Sequence, residues 1–159
     1  MMPVPRTQSS QVYEQRKDQF LVSTNREFLD LDVVYGFLTE SYWALGIPRD
    51  VVARSIENSI CFGVYAETEQ VGFARVISDL ATYAYVADVF ILESHRGHGL
   101  GKWLMECIMQ HPELQGLRRW SLVTRDAHGL YGQLGFSPLR KPKNYMELHR
   151  PDVYQRNGS

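Results

Sequence analysis

Residues 89–102 read VFILESHRGHGLGK: an apolar run, then three glycines at alternate positions, then the opening of a helix. Few architectures accept that order. The glycines Gly97, Gly99 and Gly101 let the backbone take torsions closed to other residues, and they let a ligand approach the main-chain amides. The first N–H groups of a helix have no internal partner and sit at the positive end of its dipole. Together these features predict an anion site, most simply for a pyrophosphate. Arg96 adds a charge that stays on near neutral pH. Two familiar phosphate loops do not fit the spacing. A dinucleotide fingerprint counted from Gly97 and Gly99 would need a third glycine where Lys102 stands. A P-loop ending at Gly101-Lys102 would need glycine at Arg96 and Ser or Thr at Trp103.

The segment after the glycines predicts a helix over about 100–110. Leu100, Trp103, Leu104, Cys107 and Ile108 fall on one stripe, and Pro112 ends it. Upstream, Phe20–Ser23 predicts a short strand and Leu31–Thr39 a helix. A second helix is expected over Val51–Asn58, with Asp50 as its N-cap. Ile60–Ala66 and Val71–Ile77, separated by the polar Glu67–Gln70, predict an antiparallel hairpin, and Tyr83–Leu92 a third strand interrupted by Asp88. Downstream come a strand at Trp120–Thr124, a short helix at Ala127–Leu134, a strand opening at Gly135-Phe136 and a last strand at Lys143–His149. This order predicts a mixed α/β (α+β) fold with helices on both faces of its sheet. Residues 1–18 and 151–159 are polar and read as a flexible arm and tail around one folded domain, 19–150.

The charge balance excludes one class of partner. Lys and Arg number 17 against 18 acidic residues, a net charge of -1, with no basic stripe of the kind nucleic-acid binding needs. No apolar run approaches the roughly 20 residues that span a bilayer, and the N-terminus lacks a signal-peptide core. Cys61 and Cys107 form no short-spaced pair, so a reducing cytoplasm is the expected location. The spacing of Cys107 with His111, and of His95 with His98, offers only two-ligand pairs, so no metal is expected.

The spacing Arg96-x-x-Gly99-x-Gly101 resembles the R/Q-x-x-G-x-G/A signature of the GNAT superfamily of acyl-CoA-dependent N-acetyltransferases. Leu130-Tyr131-Gly132-Gln133-Leu134-Gly135-Phe136 is similar to the later L-Y-x-x-x-G-F segment of that family. The resemblance runs from about Phe20 to Leu148. It implies a mostly antiparallel central sheet, splayed at the strand that pairs with acetyl-CoA. It also implies that backbone groups of Val89, Phe90 and Ile91 lie beside the pantetheine arm. Arg96, Gly97, His98, Gly99, Leu100 and Gly101 would cradle the pyrophosphate with help from Lys102, and Tyr131 would protonate the departing thiolate. The sequence departs from the family at Glu93, where proline is frequent, and at Asp126-Ala127-His128, where an asparagine is usual. It departs again at Tyr85, the strand position of a glutamate base in some relatives.

The base is therefore open. Asp88, alone in an apolar strand, reads either as a general base or as a structural carboxylate. Phe37, Tyr42 and Trp43 stand where the family covers its acceptor pocket. There they would cage a cationic amine, lie against a flat apolar substrate, or simply fill the core. The expected reaction is direct transfer from acetyl-CoA to a primary amine of a small molecule or peptide. Its rival is a non-catalytic acyl-CoA-binding module. An edge strand near Tyr145–Leu148 would allow a homodimer.

Overall fold

The sheet grows from hairpins because its early strands are joined by turns too short for anything else. The computed structural model describes residues 11–155. Strand β1 (Glu14–Lys17) turns through Asp18, at φ 54°, into β2 (Phe20–Ser23). Strand β3 (Ile60–Ala66) turns through Glu67, at φ 57°, into β4 (Glu69–Ser78). Strand β5 (Tyr83–Ile91) follows, and β6 (Arg119–Leu122) closes a six-stranded sheet in the order β1-β2-β3-β4-β5-β6. Every pairing is antiparallel except β5 with β6, which is parallel and therefore needs the helical crossover between them.

That crossover is α3 (Leu100–Met109). Its stripe of Leu100, Trp103, Leu104, Cys107 and Ile108, joined by Met105, is buried against Phe62, Val64, Ala74, Val76, Ala84 and Val86 of the sheet. Each such aliphatic or aromatic side chain contributes about 1.5–3 kcal/mol by leaving water, which makes this face the main stabilising layer. The opposite face is covered by α1 (Leu31–Leu38) and α2 (Arg49–Glu57), which place Val34, Leu38 and Val52 on Cys61, Phe73 and Phe90. Asp30 caps α1 by accepting from the amides of Asp32 and Val33. The N-cap of α2 is Pro48, not Asp50, which instead lies in the first helical turn near the positive end of the dipole. The expected mixed α/β sandwich, with helices on both faces of a mostly antiparallel sheet, is the observed one.

Four boundaries differ from expectation. The arm expected over 1–18 ends early, because Glu14–Lys17 pair with β2 as an edge strand; residues 1–10 lie outside the described range. The tail is also shorter. Residues 151–155 form a turn, and Tyr154 packs on the α1–α2 side of the core, while 156–159 lie outside the description. The strands expected at Gly135-Phe136 and Lys143–His149 do not form. Pro138 and Pro142 lack the N–H a ladder needs, and the chain passes outside the sheet with Met146 and Leu148 exposed. The edge strand expected at Tyr145–Leu148 as a dimer contact is thus not a strand here. Among the described residues no helix is long and apolar enough to cross a membrane.

Candidate active site

The site begins where β5 and β6 part. Their pairing runs from Tyr83–Arg119 to Val86–Leu122 and stops, while β5 continues five residues to Ile91. The edge of β5 from Ala87 to Ile91 therefore has no strand paired to it on that side, which agrees with the splay the family resemblance implies. On the other edge β5 bulges: Phe73 pairs with Phe90 and Arg75 with Ala87, so Asp88 and Val89 together face Ala74 alone. Asp88 takes φ 56°, a left-handed torsion that aspartate tolerates better than most residues. The extra residue reverses which face follows. Ala84 and Val86 point to the α3 layer, whereas Phe90 points to the α1–α2 layer and Val89 and Ile91 return to the α3 side.

Beyond Ile91 the chain makes a single helical turn at Glu93–His95 and enters the glycines. Gly97 and Gly99 hold φ 88° and 71°, and Gly99 is the N-cap of α3 with no side-chain cap on the amides behind it. A Cβ placed on Gly97, Gly99 or Gly101 would meet nothing within 4 Å. The glycines are therefore not required by packing within the protein, and the space above them is open to a ligand. Arg96 Nε donates to the carbonyl of Ile91 at 3.0 Å, tying the loop to the strand end. Leu100 is buried, so it offers the site only its amide, and Lys102 is exposed on the first turn. The imidazoles of His95 and His98 flank Phe20, with centroids 6.4 and 6.3 Å from its ring. Among the described residues no cluster of three or more metal-ligating side chains occurs.

The bulge organises the other half. Asp88 accepts from Trp43 Nε1 through Oδ1 and from Arg75 Nε through Oδ2, both at 2.9 Å, and its side chain is 9% exposed. Arg75 also donates to Ser59 Oγ at 3.2 Å. Both carboxylate oxygens are thus engaged, and the group ties β5, β4 and the α1–α2 loop together. Arg75 is the one charge inside the apolar run Val71–Ile77, as Asp88 is in Tyr83–Leu92, and that shared oddity is the only sequence signal linking them.

Trp43, so anchored, belongs to a run of rings. Phe37 stacks on Phe90 with centroids 4.0 Å apart and planes 8° apart. Trp43 lies 6.1 Å from Phe37, Tyr42 lies 5.1 Å from Trp43, and the Arg125 guanidinium carbon sits 3.8 Å over the Tyr42 ring. Arg125 follows β6 directly and carried no signal in the sequence. Tyr42 and Trp43 are half-exposed, so this is a wall and not interior packing. Tyr85 lies on the same face of β5, and burial, then Tyr83 and Asp88, raise its phenol above the ordinary value.

Tyr131 stands on α4 (His128–Gly132). Gly135, at φ 99°, ends that helix and lets the Phe136 amide return to the Tyr131 carbonyl at 3.1 Å, which sets the two rings edge to face at 6.0 Å. That turn gives the L-Y-x-x-x-G-F spacing its physical meaning. Burial first, then the neighbouring Tyr42 and Asp126, push the Tyr131 phenol above 10, so it keeps its proton at neutral pH. Burial also pushes the thiols of Cys61 and Cys107 up to about 12 and about 11, which removes both as nucleophiles. A separate cleft of about 430 Å³, lined by Thr82, Tyr83, Arg118, Arg119 and Tyr145, lies at the opposite, paired end of β5.

Comparison with known proteins joins these features. Residues 57–138 match the family model described as an acetyltransferase (GNAT) domain. A Gibberella zeae protein named "Putative acetyltransferase" is 34% identical, across 79% of this chain and 83% of its own length. The crystal structure of a "putative acetyltransferase belonging to the gnat family" from Xanthomonas campestris is 48% identical and superposes with a TM-score of 0.84, covering 86% of this chain and 97% of that one. A Clostridium acetobutylicum structure described as a predicted acetyltransferase with acetyl-CoA shares the fold at 11% identity, with a TM-score of 0.58 over 87% of this chain and 96% of that one.

Proposed function

Since the chain belongs to the GNAT acetyltransferase family, we propose that it transfers an acetyl group from acetyl-CoA to a primary amine of a small molecule or peptide, directly within a ternary complex. The observation that carries this reading is the continuity of two features. The unpaired edge of β5 from Ala87 to Ile91 runs straight into an uncapped helix N-terminus whose three glycines leave open space. An extended, amide-bearing arm ending in a pyrophosphate fits that combination, as pairing partner along the strand and anion at the helix.

When bound, acetyl-CoA supplies the activated thioester. The chain supplies the rest. Amides of Arg96–Gly101 and the Arg96 guanidinium hold negative charge, while the edge of β5 left unpaired beyond β6, from Ala87 to Ile91, offers backbone groups beside Phe90 to a carbonyl oxygen as it gains charge. Tyr131 gives the proton that a departing sulfur needs, and burial keeps that proton on its Oη until then. The aromatic wall orients the acceptor. Asp88 holds Trp43 and Arg75 instead of taking the amine proton, since both of its oxygens already accept from those partners. The reaction occurs in a compartment where thiols stay reduced, the cytoplasm.

The test is release of CoA thiol from acetyl-CoA across a panel of amines, with product mass confirming acetylation of nitrogen. Amine-dependent release supports the enzyme. Binding of acetyl-CoA without release by any amine would favour the non-catalytic acyl-CoA module.

A further inference from the structure

The acceptor wall carries a charge pattern that narrows what can lie on it. A cage for a cationic amine needs an open aromatic face or a free carboxylate. Here one aromatic face and one carboxylate of the wall are already engaged, while Trp43 keeps exposed surface. The face of Tyr42 is already covered by the protein's own cation, Arg125, at 3.8 Å. The carboxylate of Asp88 is consumed by Arg75 and Trp43. Only two ion pairs occur among the described residues, Arg49 with Asp32 and Arg75 with Asp88, so Arg125 has no carboxylate of its own. Its sequence neighbour Asp126 is exposed and makes no ion pair with it.

We propose that the acceptor is an amine that also carries a carboxylate, the two separated by an apolar body, and that Arg125 binds that carboxylate. A guanidinium resting on a ring keeps its peripheral N–H groups, whose fork matches a carboxylate in two parallel hydrogen bonds. Tyr42 fixes the guanidinium at low entropic cost, and the rings from Tyr42 through Trp43 and Phe37 to Phe90 lead from it to the acyl strand in steps of 5.1, 6.1 and 4.0 Å. An apolar run between the cation and the strand suits an acceptor whose amine and carboxylate are separated by an apolar body, as in an ω-amino acid or a short peptide with a free C-terminus, better than an amine alone. The wall thus sets specificity as well as orientation. Because the proposal names the acceptor of the acetyltransferase reaction, it rests on that reading.

Matched pairs test it: ω-amino carboxylates of increasing chain length against their neutral carboxamides, with CoA release as the readout. The wild-type protein is expected to prefer the carboxylate in kcat/KM by about tenfold or more, the scale of one charge-assisted pair. The difference should reside mainly in KM. In Arg125→Gln the ratio within each pair should collapse toward one, and Arg125→Lys should restore part of it. Acetyl-CoA affinity by calorimetry should be unchanged in both variants. Equal use of carboxylate and carboxamide by the wild type, with both acetylated, would overturn the proposal and leave the acetyltransferase reading standing. A ratio that survives Arg125→Gln, or a loss of acetyl-CoA affinity in that variant, would likewise overturn it. Acetyl-CoA binding with no release by any amine would overturn both.

Discussion

The two ends of the unpaired stretch of β5 are built on different principles. At its C-terminal end the glycine loop works almost wholly through backbone: Gly97 and Gly99 in left-handed torsions, uncapped amides, open space where side chains would stand. At the bulge the site works through side chains drawn from distant segments, with Trp43 from the α1–α2 loop, Arg75 from β4, Asp88 from β5 and Arg125 after β6. A backbone site tolerates most side-chain changes but fails when a side chain is added. A side-chain site fails one contact at a time. Under the proposed function the acetyl donor meets the first kind and the acceptor the second.

Tyr131 links the two and should give the largest kinetic effect. Tyr131→Phe keeps the ring against Phe136 but removes the proton. Since general-acid assistance is worth about 10²–10⁴-fold, kcat should fall by at least about tenfold. Acetyl-CoA affinity and Tm should barely move. A wild-type kcat, where chemistry limits turnover, would reduce the hydroxyl to packing. The raised phenol also sets a pH expectation: its deprotonation, pushed above the ordinary tyrosine range by burial, should cost no activity across the neutral range.

Asp88→Asn probes the side-chain end. It leaves Arg75 without a counter-charge in a largely buried setting, a change on the order of 3 kcal/mol. Melting temperature should fall by several degrees while kcat per folded molecule is roughly kept. A sharp drop in kcat at unchanged Tm would make Asp88 the base instead.

The smallest effect lies in neither end but in the α3 layer, and it keeps folding apart from catalysis. His111 is buried between Tyr13 and Phe62, its Nδ1 accepting from the Glu113 amide, and burial lowers its imidazole below the ordinary 6.5. The folded protein therefore takes up this proton less readily than the unfolded chain. The neutral ring's stabilisation is complete above about pH 6.5 and declines as the pH falls through the window beneath it. Tm should drop across that window, and His111→Gln should flatten the drop. An unchanged slope in His111→Gln would assign it elsewhere.

The legibility of the sequence follows the same division. The glycine loop could be read because its signal is local: a strand, fixed spacing and a helix in 14 residues. The α3 stripe and the β3–β4 hairpin were legible for the same reason. Strand β1 was not, because Glu14–Lys17 are an exposed polar edge with no apolar alternation, held by ladder pairing and by side-chain bonds from Ser23 to Glu14 and from Gln15 to Gln110. The alternation around Tyr145–Leu148 misled in the other direction, since it lies past two prolines and outside the sheet. The wall's charges were invisible as a set. Asp88 was conspicuous, but its partners Trp43 and Arg75 lie 45 and 13 residues away, and Arg125 has no local pattern at all.

One substitution tests the backbone-held cofactor site without disturbing the fold. Gly101 has ordinary helical torsions and nothing within 4 Å of where its Cβ would be, so the first carbon of a Gly101→Val side chain meets no part of the protein. Under the proposed function that side chain would stand beside the pyrophosphate. Calorimetric titration with acetyl-CoA should therefore show at least about a tenfold loss of affinity in Gly101→Val, a penalty of about 1.4 kcal/mol. The loss in Arg96→Ala should be smaller, and both variants should melt near the wild-type temperature. Wild-type acetyl-CoA affinity in a folded Gly101→Val protein would contradict the account.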